Sequence, residues 1–388
     1  MNKVVLLVFA SVLLSGTMIG ERVSPIEATG PIYIRADGSV SPSTTRITSI
    51  DNVTYTFTDN NYESIVVQRD DIVINGAGYT LQGRHIYNSK GIDLTGRRNV
   101  SIENIEIKEF FFGIWLKASS YNNISANKIT INKIGIRLSH SSNNSISANN
   151  ISANMDYNIY LEFSSNNDIF RNNMVANKVW VSNLYYSFYG ICLHYSSSNC
   201  IHSNSIVNSQ YGLHLFSSSN NNISRNSMVN NTYGILLWKS SSNAIYENDA
   251  TGNDYGIAFL YSSRNTIYHG NFMTNTKHVY NHNSMNLWDD GYPSGGNYWS
   301  NYEDRYPSAK EVDGSGIWDT SYVIDENNRD NYPLINPWIP EQEAPPPTEE
   351  VPFWMQWWVM EAVGISVLAG AILFLKKRVS VKSVLRKL

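Results

Sequence analysis

The stretch Tyr233–Asn248, YGILLWKSSSNAIYEN, is one copy of a phrase that recurs through the middle of the 388-residue chain. Its glycine slot is filled by Gly91, Gly113, Gly135, Asn158, Gly190, Gly212, Gly234 and Gly256, at spacings of 22, 22, 23, 32, 22, 22 and 22 residues. A fixed period of this length marks a solenoid whose coils stack on one another. One and three residues after the slot the side chain is always apolar: Ile92/Leu94, Ile114/Leu116, Ile136/Leu138, Ile159/Leu161, Ile191/Leu193, Leu213/Leu215, Ile235/Leu237 and Ile257/Phe259. Alternation at period two is a strand with one buried face. A second inward series, Ile124, Ile146, Ile169, Ile201, Ile223, Ile245 and Ile267, stands eleven residues after the slot. Two short strands and two turns fill the repeat and leave no room for a helix, so the predicted fold is an all-β parallel β-helix.

The turns carry ladders of their own. Asn122, Asn144, Asn167, Asn199, Asn221, Asn243 and Asn265 stand two residues before the second-strand Ile, and Ser120, Ser142, Ser165, Ser197, Ser219, Ser241 and Ser263 stand four before it. Identical amides stacked one per coil can hydrogen-bond along the stack, and Asn tolerates the left-handed geometry of tight turns. Asn158 in the glycine slot fits the same logic, Asn being the residue next best able to adopt φ > 0. This polar richness reads as scaffold rather than as chemistry.

The ends differ from the middle. Residues 1–28 read as a signal peptide: Lys3, the apolar run Val4 to Leu14, then small and polar residues. Residues 29–63 read as an N-terminal cap that shields the first coil, residues 64–285 as the repeats, and residues 286–340, rich in Trp and Tyr, as a C-terminal cap. An acidic, Pro-rich stalk follows at 341–352. Residues 353–375 are largely apolar and long enough to span a bilayer. They begin with the aromatic cluster Phe353, Trp354, Trp357 and Trp358 and end at Lys376, Lys377 and Arg378, which the positive-inside rule keeps in the cytoplasm. The expected topology is a solenoid on the extracellular face, one transmembrane helix, and a basic cytoplasmic tail at 376–388. With 29 basic against 33 acidic residues, nothing suggests a nucleic-acid partner.

The long step from Asn158 to Gly190 contains ANKVWVSNLYYSFY, an aromatic insertion of the kind that maps to a loop over one face of a solenoid. In the C-terminal cap, Asp313, Asp319, Asp325, Glu326, Asn327 and Asp330 offer oxygen ligands near glycines, the chemistry of a calcium loop without the EF-hand pattern.

The phrases PIYIRADGSV, IVINGAGYTLQG, the repeated GIxLxxSSxNxI, GGNYWSNY and DTSYVIDENNRDNYPL resemble the NosD-type family of exported right-handed β-helix proteins, which has archaeal membrane-anchored members. The resemblance spans roughly Pro31 to Pro340. It implies a pectate-lyase-like solenoid related to carbohydrate-binding and sugar-hydrolase modules, and it carries the family's association with copper-site maturation.

Two and four residues after the slot, side chains point out of the first sheet. On this strip Trp115, Lys117, Arg137, Tyr160 and Glu162 mix rings with charges, a combination suited to polysaccharides or surface glycans, since rings stack on pyranose faces while charges orient hydroxyls. The plain alternative is a solvated face. Higher up, Leu236, Ala258 and Leu260 turn the strip apolar, which predicts that the C-terminal cap folds over it. Glycosidase chemistry needs two carboxylates about 5–9.5 Å apart. Asp93 and Glu162 are three coils apart, about 14 Å at one strand spacing per coil, which argues for binding rather than catalysis; the alternative is a polysaccharide lyase or hydrolase whose carboxylates come from the inserted loop or the cap. Cys192 and His214, one coil apart, and His194, two residues along from Cys192, offer soft-to-borderline ligands for copper or zinc. Cys200 and His202 belong to the second strand and are not expected to join them, and a Cys192–Cys200 disulfide is disfavoured for the same reason.

Overall fold

The computed structural model describes residues 30–176 and 188–340. The expected signal peptide, stalk, transmembrane helix and tail, and residues 177–187 of the insertion, lie outside the described residues. Among the described residues no helix is long and apolar enough to cross a membrane.

Each coil has three strands rather than the two expected. In the coil that begins at Tyr233, Tyr233–Trp238 belongs to a twelve-stranded sheet, Ala244–Tyr246 to an eleven-stranded sheet and Asp249–Thr251 to a ten-stranded sheet. The next coil pairs with it in parallel and in register at all three: Ile235 with Ile257, Ile245 with Ile267, and Ala250 with Phe272. The third strand escaped the sequence because it presents a single inward residue per coil, and that residue changes from Ile107, Ile129 and Ile151 to Met174, Ile206, Met228, Ala250 and Phe272. A column of mixed residue types leaves no periodic mark. The two expected columns are both present, every member almost completely buried.

The corners correct the expected role of the glycine slot. None of its residues has positive φ. The slot is small because coils approach closely there: a Cβ on Gly113 would stand 2.5 Å from the Gly135 carbonyl oxygen, and one on Gly234 2.5 Å from that of Gly256. Asn158 is explained differently as well. Its Oδ1 accepts from Asn154 Nδ2 at 3.0 Å, supplying the ladder acceptor that the long repeat displaces.

Positive φ belongs instead to the residue before each buried polar residue. In one coil Lys239, Ser242, Glu247 and Gly252 are left-handed, and each is followed by a buried ladder member, Ser240, Asn243, Asn248 or Asn253. There are thus three asparagine ladders, not one. The fully buried serine ladder is Ser141, Ser164, Ser196, Ser218, Ser240 and Ser262, one residue before the series read from sequence. Asn226 shows the geometry. Its Nδ2 donates to Ile201 O at 2.8 Å and to Asn248 Oδ1 at 3.0 Å, and its Oδ1 accepts from the Asn204 backbone N–H at 3.1 Å and from Asn204 Nδ2 at 3.0 Å.

Both ends of the coil are closed. Ile32–Ile34 and Thr54–Phe57 already pair in parallel with the following coil, while Val40–Ser41 and Ile47–Thr48 pair antiparallel at the outer edge. The C-terminal cap closes the other end. Its buried rings plug the end of the core: Trp288 meets Phe259 edge-on at 5.6 Å, Trp299 stacks on Phe272 at 4.6 Å, and Tyr322 stacks on Trp299 at 4.2 Å. The GGNYW and NRDNY phrases form one clasp. Asp330, wholly buried, accepts from the Asn297 backbone N–H at 2.7 Å, Trp299 Nε1 at 2.9 Å and the Tyr332 backbone N–H at 3.1 Å. A side chain at Gly296 would collide with its carboxylate.

Two outcomes follow from this packing. Asn226→Ala strands one carbonyl and two N–H donors inside the turn, and should cost about 3 kcal/mol, whereas Asn222→Ala, on the exposed surface of the adjacent strand, should stay within about 0.5 kcal/mol; urea denaturation midpoints distinguish the two. Burial raises the Asp330 carboxyl from the usual 3.8 to about 7, against the pull of its three donors. Between about pH 4 and 7 the native protein therefore holds a proton that the unfolded chain has released, so this group makes stability fall as pH rises through that window. Asp330→Asn should flatten that slope in a pH series of thermal melts, and an unchanged slope would assign the titration elsewhere.

Candidate functional site

The first sheet's long strands, six residues in most coils, give its outward face two or three side-chain columns beyond the core. The register aligns Asp93, Trp115, Arg137 and Tyr160 in one column and Lys117, Ser139, Glu162, His194, Phe216 and Trp238 in the next. Four of the five expected ligand-binding residues come together. The Arg137 guanidinium lies between rings, 5.1 Å from Trp115 and 5.1 Å from Tyr160, and donates to Glu162 at 2.8 Å. Lys90 reaches Asp93 at 2.6 Å while lying 5.3 Å from the Trp115 ring. Burial, and next the Glu162 charge, raise the Tyr160 phenol well above its usual value of 10, so it stays a neutral hydrogen-bonding group. Trp115 Nε1 and Arg137 Nε have no hydrogen-bond partner in the protein. Lys117 stands apart, exposed at the strand end, with no ion pair among the described residues.

Phe216 and Trp238 of this strip continue into a ridge whose other members strand alternation does not mark. His140, Phe163 and Tyr195, five residues after the slot, lie at the corner between the first and second sheets. His140 and Phe163 are 5.1 Å apart, Phe163 and Tyr195 stack at 5.2 Å, Tyr195 meets Phe216 at 5.7 Å, and Phe216 meets Trp238 at 5.1 Å. Phe163, Tyr195 and Trp238 are each more than 40% exposed. The first three occupy left-handed backbone, with φ of 51°, 48° and 50°, where Gly or Asn is preferred and other residues cost about 1–2 kcal/mol. In the same slot other coils carry Gly96, Ala118 and Ser217. Rings held there against local preference were the available signal; they went unread because the position looked like a turn.

Of the expected metal ligands, two meet. Cys192 and His214 pair across adjacent strands, with Sγ 3.9 Å from Nδ1. Neither is solvent-exposed as the strip position suggested: they are 5% and 8% accessible, and the Tyr189 and Tyr211 rings lie 5.6 and 5.3 Å from the imidazole in a stacked tyrosine column running from Tyr157 to Tyr255. Burial pushes the Cys192 thiol far up and lowers His214 to about 4. His194 is drawn the other way, its Nδ1 3.2 Å from the Tyr160 hydroxyl and 4.0 Å from Glu162. The site therefore offers copper a two-donor thiol and imidazole pair, with His214 Nε2 buried and unpartnered. Both cysteines are free.

The oxygen-rich cap residues do not converge. Asp313 accepts from Tyr292, Asp319 from the Lys310 backbone, and Asp325 from Asn281, Asn327 and Asn328, while Asp330 is the buried clasp. They hold the cap together, and no calcium cluster forms among the described residues.

Residues 179–304 match the family described as periplasmic copper-binding protein (NosD), and residues 45–185 match the right-handed β-helix region. No curated protein matches the sequence. Among solved structures the chain is similar to the periplasmic alginate epimerase AlgG, at 15% identity and a TM-score of 0.46, over 62% of this chain and 80% of that one. It is similar also to the DFA-IIIase from Arthrobacter chlorophenolicus A6 in complex with DFA-III, at 12% identity and 0.41, over 66% and 60%. A third similar structure is the Dettilon tailspike protein, at 16% identity and 0.41, over 63% and 56%. The repeat, the coil it builds and the two successive matches support a NosD-type family of right-handed parallel β-helix proteins for this chain.

Proposed function

We propose that the outward face of the first sheet binds a polysaccharide or surface glycan laid along the coil axis, without chemical turnover. The observation that carries this reading is the run His140, Phe163, Tyr195, Phe216, Trp238, five rings at 5.1–5.7 Å intervals with half-exposed members. A sugar chain presents repeated apolar ring faces to such a ridge, and aromatic platforms bind them with modest energy per contact. The neighbouring strip supplies polar groups held in place by Arg137–Glu162 and Lys90–Asp93, which suits the orientation of hydroxyls and carboxylates. Those same ion pairs argue against acid–base work, since each carboxylate is already engaged by a cation and the two lie three coils apart. Anchoring on the extracellular face, with the C-terminus inside the cell, would place the ridge toward surface glycans.

A second reading, copper handling, is favoured by the Cys192–His214 contact. The two separate in one set of measurements. On a broad glycan panel followed by calorimetric titration of the best ligand, Phe163→Ala with Tyr195→Ala should weaken binding about tenfold or more, and Trp115→Ala with Arg137→Ala should weaken it further. A blank panel for the wild-type protein, together with one Cu(I) that Cys192→Ser loses and Cys200→Ser keeps, would replace glycan binding by the copper reading.

A further inference from the structure

The second sheet carries a separate group of unlike donors. Cys200 and His202 flank the fully buried Ile201 on strand Cys200–His202, so their side chains leave the same outward face. Asp168, on the preceding coil, pairs directly with Cys200. Ligand atoms of the three lie within 4.8 Å of one another, the only such group of three His, Cys, Asp or Glu residues among the described residues. Cys200 and His202 were placed on the second strand from the sequence, and Asp168 stands beside Ile169 one coil earlier across the 32-residue step, but no ligand was read there.

The imidazole is set for a ligand. Its Nδ1 is 3.4 Å from Ser203 Oγ, and its ring lies flat on Phe170, with centroids 5.0 Å apart and planes 2° apart. When Nδ1–H donates to Ser203, Nε2 keeps its lone pair. That lone pair then faces Asp168 Oδ1 at 3.2 Å, an oxygen shielded from solvent that accepts no hydrogen bond in the protein. Two acceptors at this distance need a cation between them, or a proton on the ring. A thiol at the third corner turns the preference from a hard cation to a borderline one: sulfur, imidazole nitrogen and carboxylate oxygen are the donor set of zinc.

We propose that Asp168, Cys200 and His202 bind one Zn(II), tying together the two coils that flank the insertion and leaving a fourth position for water. Tetrahedral zinc places such donors about 3.3–3.6 Å apart, which the group reaches by small side-chain rotations, since all three residues are only partly buried. Binding converts the Cys200 thiol to the thiolate and releases its proton to solvent. The site is distinct from the Cys192–His214 pair, which sits on the first sheet, and it stands whether or not the glycan reading holds.

The test titrates the reduced full-length protein with Zn(II) in competition with a chromophoric chelator, and repeats the titration with Co(II). One equivalent of zinc is expected. Cys200→Ser, His202→Ala and Asp168→Asn should each weaken it at least about tenfold, Ser203→Ala about tenfold through loss of ring orientation, and Cys192→Ser not at all. Co(II) should give a sulfur-to-metal charge-transfer band that Cys200→Ser removes. Independently of any variant, Zn(II) should slow alkylation of Cys200 in the wild-type protein. Less than one equivalent of zinc, equal loss from Cys192→Ser, a cobalt spectrum indifferent to Cys200, or an unchanged alkylation rate would overturn the proposal.

Discussion

A coil of about 22 residues buries only two inward side chains from its first strand and one from each of the others, so hydrophobic contact alone leaves its corners open. What closes them is the axial hydrogen bond from a buried Asn or Ser to the backbone of the neighbouring coil. A turn inside a protein must satisfy its N–H and C=O groups, and here the side chain that follows each left-handed residue does so for the coil before it. Asn is suited to this because one amide both donates and accepts, allowing an unbroken chain such as Asn204, Asn226, Asn248. The arrangement is cooperative by construction: each amide is oriented by the next, so a defect in one corner is felt one coil away in either direction.

That constraint divides the labour within each repeat. Inward positions are fixed by volume and corner positions by hydrogen bonding, which leaves the outward columns of the first two sheets free to vary. Chemistry-bearing residues collect there and at the adjoining corner: the ion pairs on the first sheet, the ring ridge along its edge, and Asp168, Cys200 and His202 on the second. The scaffold also sets the geometry of any site it hosts. Neighbouring side chains in a column stand one strand spacing apart, close enough for rings to stack and for donors on adjacent coils to share a ligand, while groups three coils apart cannot act on one bond. Asp93 and Glu162 fall in the second class.

The architecture was legible because its two strongest columns are nearly invariant in residue type, and the period announces them. Features that vary from coil to coil were not legible. The third strand is invisible behind Met174, Ala250 and Phe272. The glycine slot suggested positive φ, whereas the physical cause is the carbonyl oxygen of the next coil, a contact that exists only once the coils are stacked. The outward strip was placed correctly as far as Trp115, Arg137, Tyr160 and Glu162, since alternation alone decides which way those side chains point. Their neighbours were not: Phe163 and Tyr195 sit at a corner, where strand alternation says nothing, and the burial of Cys192 and His214 beneath flanking tyrosines depends on how one column leans on another. Asp168 could be aligned with Cys200 through Ile169 and Ile201, but a single carboxylate on an otherwise Ser- and Asn-rich outward column carries no mark of a ligand.

If the axial side-chain bonds are what hold the coil, the corners should be as well protected as the strands. Native-state hydrogen exchange at single-residue resolution reads this directly at Asn122, Asn226 and Ser218, whose backbone N–H groups donate to Asn144, Asn248 and Ser240 at 3.0 Å each. The account predicts protection there equal to that of the strand amide of Ile201, lost together with it in one opening event. Exchange at those corners as fast as in an exposed loop, while Ile201 stays protected, would contradict it.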